Sequence, residues 1–494
     1  MTRENLISTG SALFCDLYHL SMAQSWFLDD KANEIKTSEA FFRRCPFGGS
    51  YVISAGLAEF VEWLKNWGFS KEDLNYLRAE KYADGSPKFE EDFLKFIKDS
   101  KLQISIKTVP EGKLIFPNEP VYSVTGPTWQ VELVEAALLN IFNSQSLIAT
   151  KASRMVYASS IDGKRRPLLE FGLRRGQELG CFSSTRAAFI GGVSSTSNVA
   201  AAKHYHIPSS GTMAHSFVMS YDSELKAFKS FMKSNPKNTI LLVDTYDTRE
   251  GIKNAIQASI ETKIPLMGMR FDSGDLAYWA FQARKMIDAA GHKDLLKNVK
   301  LVASNDLDEH LIENLVAVQH APYDVFAAGT KLVTAYDTPA LGGVFKTKSY
   351  KGKPQIKIAE GKTTIPGATN IIRIERNGIF EGDIICRQSD TNLVKNKKLT
   401  TDITSYNLGE LKGKNRVFKK GETAEYLLTE IMKNGKMVCE PETNLQKIQQ
   451  KTSEELSHLD STYKRLENPH IYGVGLEKHL YDLREKLIKK HLKG

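Results

Sequence analysis

Near the start of the chain, apolar residues recur at helical spacing in LYHLSMAQSWF after Asp16, in GLAEFVEWLKNWGF and in EEDFLKFIKD, and each stretch predicts an amphipathic helix. Short β-like runs punctuated by Pro and Gly, ISIKTV and KLIFPNEPVYSVTG, lie among them, so residues 1–140 read as an α+β domain. WQVELVEAALLNIFNSQSLIATKASRMVYAS predicts one or two long helices leading into the middle of the chain.

From Leu168 the texture changes. Short apolar runs end repeatedly in small or polar residues and are followed by helix-like stretches: RPLLEFGLRR, AFIGGVSST, GTMAHS, TILLVDTYDT, PLMGMRFDSGD, VKLVASNDLD and DVFAAGTKL. Their polar ends fall near residues 170, 192, 215, 244, 272, 304 and 329, a spacing that suits strand, turn, helix and turn. Seven such units predict an irregular TIM-like α/β barrel over residues 141–345. An open doubly wound sheet is the alternative, but no GxGxxG opens a helix. Beyond Leu341 come strand-like GGVFKTKSYKG and TNIIRIERNGIFEGDIIC, a predicted helix ETAEYLLTEIMKNG, and a closing helix pair with i,i+4 charge pairs. Residues 346–494 are therefore expected to form an appended C-terminal domain.

Composition narrows the class. With 41% hydrophobic and 25% charged residues in 494, the chain is an ordinary globular protein, and disordered or fibrous classes are excluded. No apolar run reaches the roughly 18 residues of a membrane helix, and no secretory signal opens the sequence. Five cysteines, odd in number and without a CxxC, point to reduced thiols and a cytoplasmic location. The net charge of +9 comes largely from late lysine-rich stretches such as VKNKKLT and LKGKNRVFKK, which lack interleaved aromatics and read as a solvated face rather than a nucleic-acid surface.

Strand ends of a barrel collect functional groups, and the unusual residues sit there. RFDSGD supplies Arg270 for an anion, with Asp272 and Asp275 for hydroxyls or a metal; a helix cap is the competing role of its Asp and Ser. AAGTK offers the Gly329 amide and Thr330 hydroxyl to a phosphate, a role equally open to an ordinary capped turn. EFGLRR brings Phe171, Arg174 and Arg175, the arginines suiting a polyanion and the ring suiting either the core or a stacked ligand. GTMAHS places His215 three residues after Thr212, as a catalytic histidine or one that only satisfies a local hydrogen bond. His204 and His206 lack a third ligand spaced for zinc, and no metal ligand set is assigned.

Taken in order, DLYHLSMAQ, FFRRCPFGGSYVISAGL, EFGLRRGQ, GTMAHSFV, VDTYDT, RFDSGDL, SNDLDE and FAAGTKLV closely resemble the nicotinate phosphoribosyltransferases, type II phosphoribosyltransferases. The resemblance implies that nicotinate displaces pyrophosphate from phosphoribosyl pyrophosphate, giving nicotinate mononucleotide for NAD salvage. It further implies coupling to ATP as co-substrate through a phosphohistidine at His215, nicotinate contacts from Tyr18, Phe171, Thr212 and Arg270, and phosphoribosyl contacts from Gly329 and Thr330. On that reading Arg174, Arg175 and Mg²⁺ hold the pyrophosphate, Asp272 and Asp275 hold ribose hydroxyls or the metal, and a homodimer lets Tyr18 serve a neighbour's barrel.

Three other readings remain at the level of sequence. A nicotinamide enzyme would profit from a carboxylate facing the amide, yet residues 189–219 contain neither Asp nor Glu. A non-catalytic barrel that binds a phosphorylated metabolite or nucleic acid would show salt-sensitive binding without pyrophosphate release. A phosphosugar aldolase or isomerase would need a strand-end lysine, for which Lys331 is the candidate.

Overall fold

The computed structural model describes residues 10–408, 411 and 413–492. The chain divides into two compact units, residues 148–339 and the outer segments 1–147 with 340–494. The outer segments, expected as two separate domains, share sheets. Strand Ile35–Phe41 pairs antiparallel with Tyr122–Pro127 on one side and Val344–Tyr350 on the other. Strand Thr429–Lys433 joins the same sheet beside Ser105–Thr108. Backbone pairing between residues more than 300 apart is invisible to a local pattern, which explains the difference.

Within the outer unit the early helices form at Leu17–Leu28, Leu57–Lys65 and Glu91–Asp99, where their periodicity places them. A further helix, Lys71–Ala79, is closed by a capping box between Ser70 and Asp73. Leu20, Ala23, Leu74, Leu77, Phe93, Leu94, Ile97 and Trp129 form a core shared by helices Leu17–Leu28, Lys71–Ala79 and Glu91–Asp99. One expectation fails: ETAEYLLTEIMKNG is not a helix but two strands, Thr423–Tyr426 and Thr429–Lys433. Asn434 and Gly435 both take positive φ and close a hairpin onto Lys436–Met437, so the Asn-Gly turn signal outweighs helix propensity.

The inner unit carries the predicted barrel in an irregular, six-stranded form. Its strands, Leu168–Glu170, Ser195–Thr196, Ile240–Leu242, Gly268–Phe271, Lys300–Ala303 and Val325–Ala328, are all parallel. Their spatial order begins at Ser195–Thr196, passes through Leu168–Glu170, Val325–Ala328, Lys300–Ala303 and Gly268–Phe271, and ends at Ile240–Leu242. That order is the chain order turned around a ring and left open at one seam. GTMAHS, expected as a strand end, is irregular backbone over residues 211–214 at the seam and then enters a short helix: Ser209 bridges Thr196, and the Asn238 side-chain amide donates to the Gly211 carbonyl at 2.9 Å. AFIGGVSST likewise resolves into the end of helix Gly180–Ile190 followed by the two-residue strand. Helices Thr248–Thr262 and Leu276–Ala290 each follow a strand and return the chain to the next one. Among the described residues no helix is long and apolar enough to cross a membrane.

Candidate active site

Six parallel strands bring their carboxyl ends to one rim, and the loops there hold nearly all the residues singled out from sequence. Glu170 ends the first strand fully buried and accepts from the Thr185 hydroxyl at 3.0 Å, from the Thr196 hydroxyl and from the Gly172 amide. A Cβ at Gly172 would collide with Val333, so the turn must be glycine. The turn fixes Phe171, whose amide donates to the Ala328 carbonyl at 2.7 Å, and a Cβ at Gly329 would lie 3.2 Å from the Phe171 carbonyl. Phe171 and the Gly329–Thr330 turn are thus neighbours, and the Phe171 ring is half-buried rather than lost in the core. Arg174 and Arg175 follow in an exposed turn with no ion pair to another described residue.

Arg270 points from the end of the Gly268–Phe271 strand and donates from Nη1 to the Thr212 hydroxyl at 2.6 Å. Its Nε is buried and has no hydrogen-bond partner among the described residues. Burial pushes the guanidinium's pKa down, Asp272 and Asp244 push it back up, and Arg174 adds like-charge repulsion. Guanidinium remains a cation throughout, so the site holds a desolvated positive charge with an unused donor.

Beside it lies a carboxylate pair. Asp272 accepts from the Ser304 hydroxyl at 2.6 Å, and its backbone amide donates to Asp244 at 2.8 Å. Asp244 also receives the Ser273 hydroxyl at 2.7 Å, while its other oxygen is buried and unpartnered. His215 opens the short helix His215–Met219; its Nδ1 lies 3.1 Å from the Thr245 hydroxyl and its Nε2 3.9 Å from Asp272. Asp275 takes the role of helix cap, accepting the Tyr278 amide at 3.0 Å. Asp244 and Thr245 escaped the sequence reading, although VDTYDT follows an apolar run as RFDSGD does and could have been read the same way.

Lys331 does not suit imine chemistry. Its hydrogen bond to Asp308 raises its pKa and keeps it protonated. His204 and His206 sit at the end of helix Val199–Tyr205, His206 as its left-handed cap, and among the described residues they join no cluster spaced for a metal.

Tyr18 belongs to the outer unit, near the start of helix Leu17–Leu28, half-exposed and with its ring 4.0 Å from that of His19. His19, Glu132 and Glu135 have the mutual spacing of a cation site. The Asp16 amide, however, donates to His19 Nδ1 at 3.1 Å, so the proton sits on Nε2, and Lys36 already occupies Glu132. Those three residues therefore do not fit a metal. Asp244 and Asp272 fit Mg²⁺ better, because that ion takes one or two carboxylates and completes its shell with water and substrate phosphates.

Family models match three successive stretches: the nicotinate phosphoribosyltransferase N-terminal domain at residues 13–143, the nicotinate phosphoribosyltransferase family at 167–365, and its C-terminal domain at 369–484. The chain is 39% identical to the nicotinate phosphoribosyltransferase of Bacillus subtilis over 489 residues, covering 94% of this chain and 92% of that one. It is 30% identical to the Caenorhabditis elegans enzyme of the same name, with 96% and 93% covered. The crystal structure of human nicotinic acid phosphoribosyltransferase superposes with a TM-score of 0.80 at 26% identity, over 96% of this chain and 99% of that one. Nicotinate-nucleotide pyrophosphorylase from Pyrococcus furiosus shares the fold, with a TM-score of 0.68 at 21% identity over 93% and 98% of the two chains. The rim that gathers Arg270, Asp272, His215 and Thr330 and the matches along the length of the chain agree: this chain belongs to the nicotinate phosphoribosyltransferase family.

Proposed function

We propose that this chain condenses nicotinate with phosphoribosyl pyrophosphate to give nicotinate mononucleotide and pyrophosphate in NAD salvage, with ATP as co-substrate. The observation that carries the reading is Arg270: a part-buried guanidinium, anchored once by Thr212, with a buried donor unused and no ion pair to a described residue. A planar carboxylate is the natural partner of that fork. Nicotinate carries one, whereas nicotinamide would leave the cation unmatched, which favours the acid.

The remaining residues take roles the reaction requires. Displacement at the anomeric carbon passes through an oxocarbenium-like state, so the site must orient the pyridine nitrogen and hold the leaving group. The pyridine nitrogen is itself the nucleophile, and no general base is needed. Phe171, with Tyr18 from a neighbouring protomer of a homodimer, sandwiches the ring. Gly329 and Thr330 take the phosphate of the phosphoribosyl group. Arg174 and Arg175, exposed and without an ion pair to a described residue, take the pyrophosphate. Asp272 and Asp244 would hold ribose hydroxyls and Mg²⁺, an ion that would supply positive charge for the pyrophosphate; Asp275 would contribute from its cap position. His215, with 40% of its side chain exposed, is reachable by the terminal phosphate of ATP. A ring nitrogen accepts the phosphoryl group, ADP leaves, and water later releases phosphate. The added negative charge beside Asp272 alters how phosphoribosyl pyrophosphate is held. Five free cysteines accord with a reducing cytoplasm.

The test is product formation with phosphoribosyl pyrophosphate and Mg²⁺, offering nicotinate and nicotinamide in parallel, with and without ATP. Nicotinate mononucleotide formation stimulated by ATP is expected. Activity with nicotinamide alone would move the protein to the sister activity. His215→Ala should lose ATP hydrolysis and the acid-labile label from ATP's terminal phosphate, yet keep slow ATP-independent synthesis. Retained ATP turnover would remove His215 from the coupling step.

A further inference from the structure

The helix opened by Thr330 runs only to Val333, too short to hold its own geometry. Gly329 precedes it at φ −118 and ψ −99, outside the helical region, so the orientation of this turn must be imposed from elsewhere. The next side chain supplies the tie: Lys331 Nζ donates to Asp308 Oδ2 at 2.6 Å. Asp308 uses its other oxygen to accept the Leu311 amide at 2.8 Å, capping helix Glu309–Glu313. One carboxylate therefore joins two adjacent strand-end loops.

Its own footing is rigid. Glu309, the next residue, is fully buried, forms an ion pair with Lys151 Nζ at 2.6 Å and accepts from Arg154 Nε at 2.9 Å. Both cations come from helix Glu135–Ser159, and both are buried. Breaking one partner of such a triad strands a buried charge, so displacing the segment at 308–309 is costly. The helix then passes into a π-turn, Asn314–Val318, a conformation that recurs at functional sites.

We propose that Asp308 is a positioning residue for phosphoribosyl recognition: by anchoring Lys331 it aims the Gly329 amide and Thr330 hydroxyl at the phosphate. The inference rests on the phosphoribosyl-transfer reading given above. Asp308 also keeps the Lys331 ammonium engaged, so the phosphate meets the turn rather than a mobile lysine.

Asp308→Asn, Asp308→Glu, Lys331→Met and the double variant Asp308→Asn/Lys331→Met would be compared with the wild type. The measurements are the Michaelis constants for phosphoribosyl pyrophosphate and nicotinate, kcat, melting temperature, and amide exchange across residues 329–334. Asp308→Asn should raise the constant for phosphoribosyl pyrophosphate about tenfold, as expected for one charge-assisted contact, and leave that for nicotinate within about twofold. Exchange at 329–334 should quicken, Glu should restore much of the affinity, and the double variant should be no worse than the single ones. An active wild type whose Asp308→Asn form binds phosphoribosyl pyrophosphate normally would overturn the inference alone. A uniform loss in every parameter with a lowered melting temperature would also overturn it, by showing a merely structural role. A wild type unable to form nicotinate mononucleotide would sink the functional reading, and this inference with it.

Discussion

Single residues decide the chemistry, and Arg270 is the clearest case. Replacing it with Ala removes the desolvated cation and the hydrogen bond that the Thr212 hydroxyl accepts from it. Losing a charge-assisted contact worth roughly 2–3 kcal/mol should raise the Michaelis constant for nicotinate about 30- to 150-fold, measured by steady-state kinetics with kcat reported separately. Glu135 offers a pH test outside the barrel. Burial pushes its carboxyl from 4.5 up to about 7, with Lys346 and Lys36 opposing and Glu132 adding repulsion. Because the folded-state pKa lies above the unfolded one, the folded chain holds the extra proton between pH 4.5 and 7. Stability at this site therefore falls as pH rises through that window and levels off above it. Glu135→Gln should melt higher than the wild type at pH 8, on the order of 1–3 kcal/mol more stable, and converge with it near pH 4.5. A melting difference independent of pH would contradict the assignment. The residues carrying these effects differ in how readable they were. RFDSGD announces an anion and hydroxyl site by its residue types, whereas Asp244 reveals itself only when its oxygen is found holding the Asp272 amide.

At the scale of elements, the site depends on helices pressed against strand ends. A Cβ at Gly251, in helix Thr248–Thr262, would overlap the Val243 carbonyl, one residue before Asp244. Gly251→Ala should therefore force strand and helix apart, costing about 1–3 kcal/mol and weakening catalysis through Asp244. Thermal melting and turnover measured together would show both; a drop in melting temperature with normal turnover would disconnect Gly251 from the site. Helices with strong periodicity were legible in sequence, and so was the rhythm of barrel units. The segment ETAEYLLTEIMKNG was misread, because Leu427, Leu428, Ile431 and Met432 satisfy a helical spacing as well as they fill a sheet core. GTMAHS was misplaced for a related reason: a short run at an open seam has the composition of a strand end without neighbours on both sides to make it one.

For the whole molecule, the consequence of shared sheets is that the outer segments stand or fall together. A chain ending at residue 345 would lose nearly all of strand Val344–Tyr350 and the whole of Thr429–Lys433, exposing one edge of Ile35–Phe41 and one of Ser105–Thr108. Unpaired edges of this kind invite aggregation, so the truncated chain should show no cooperative melting transition and should associate in gel filtration. A soluble, cooperatively folding fragment would show that the amino-terminal segment is a domain in its own right. The sequence by itself determined the globular class, the repeating strand and helix units, the family and the anion-binding residue types, because each is written in local pattern or in short motifs. Only the tertiary structure decided which strands pair across the chain, that Asp275 caps a helix, that Lys331 is tied to Asp308, and that Arg270 keeps a donor free. Those facts depend on which groups compete for each hydrogen bond once distant segments meet, and no local pattern encodes that competition.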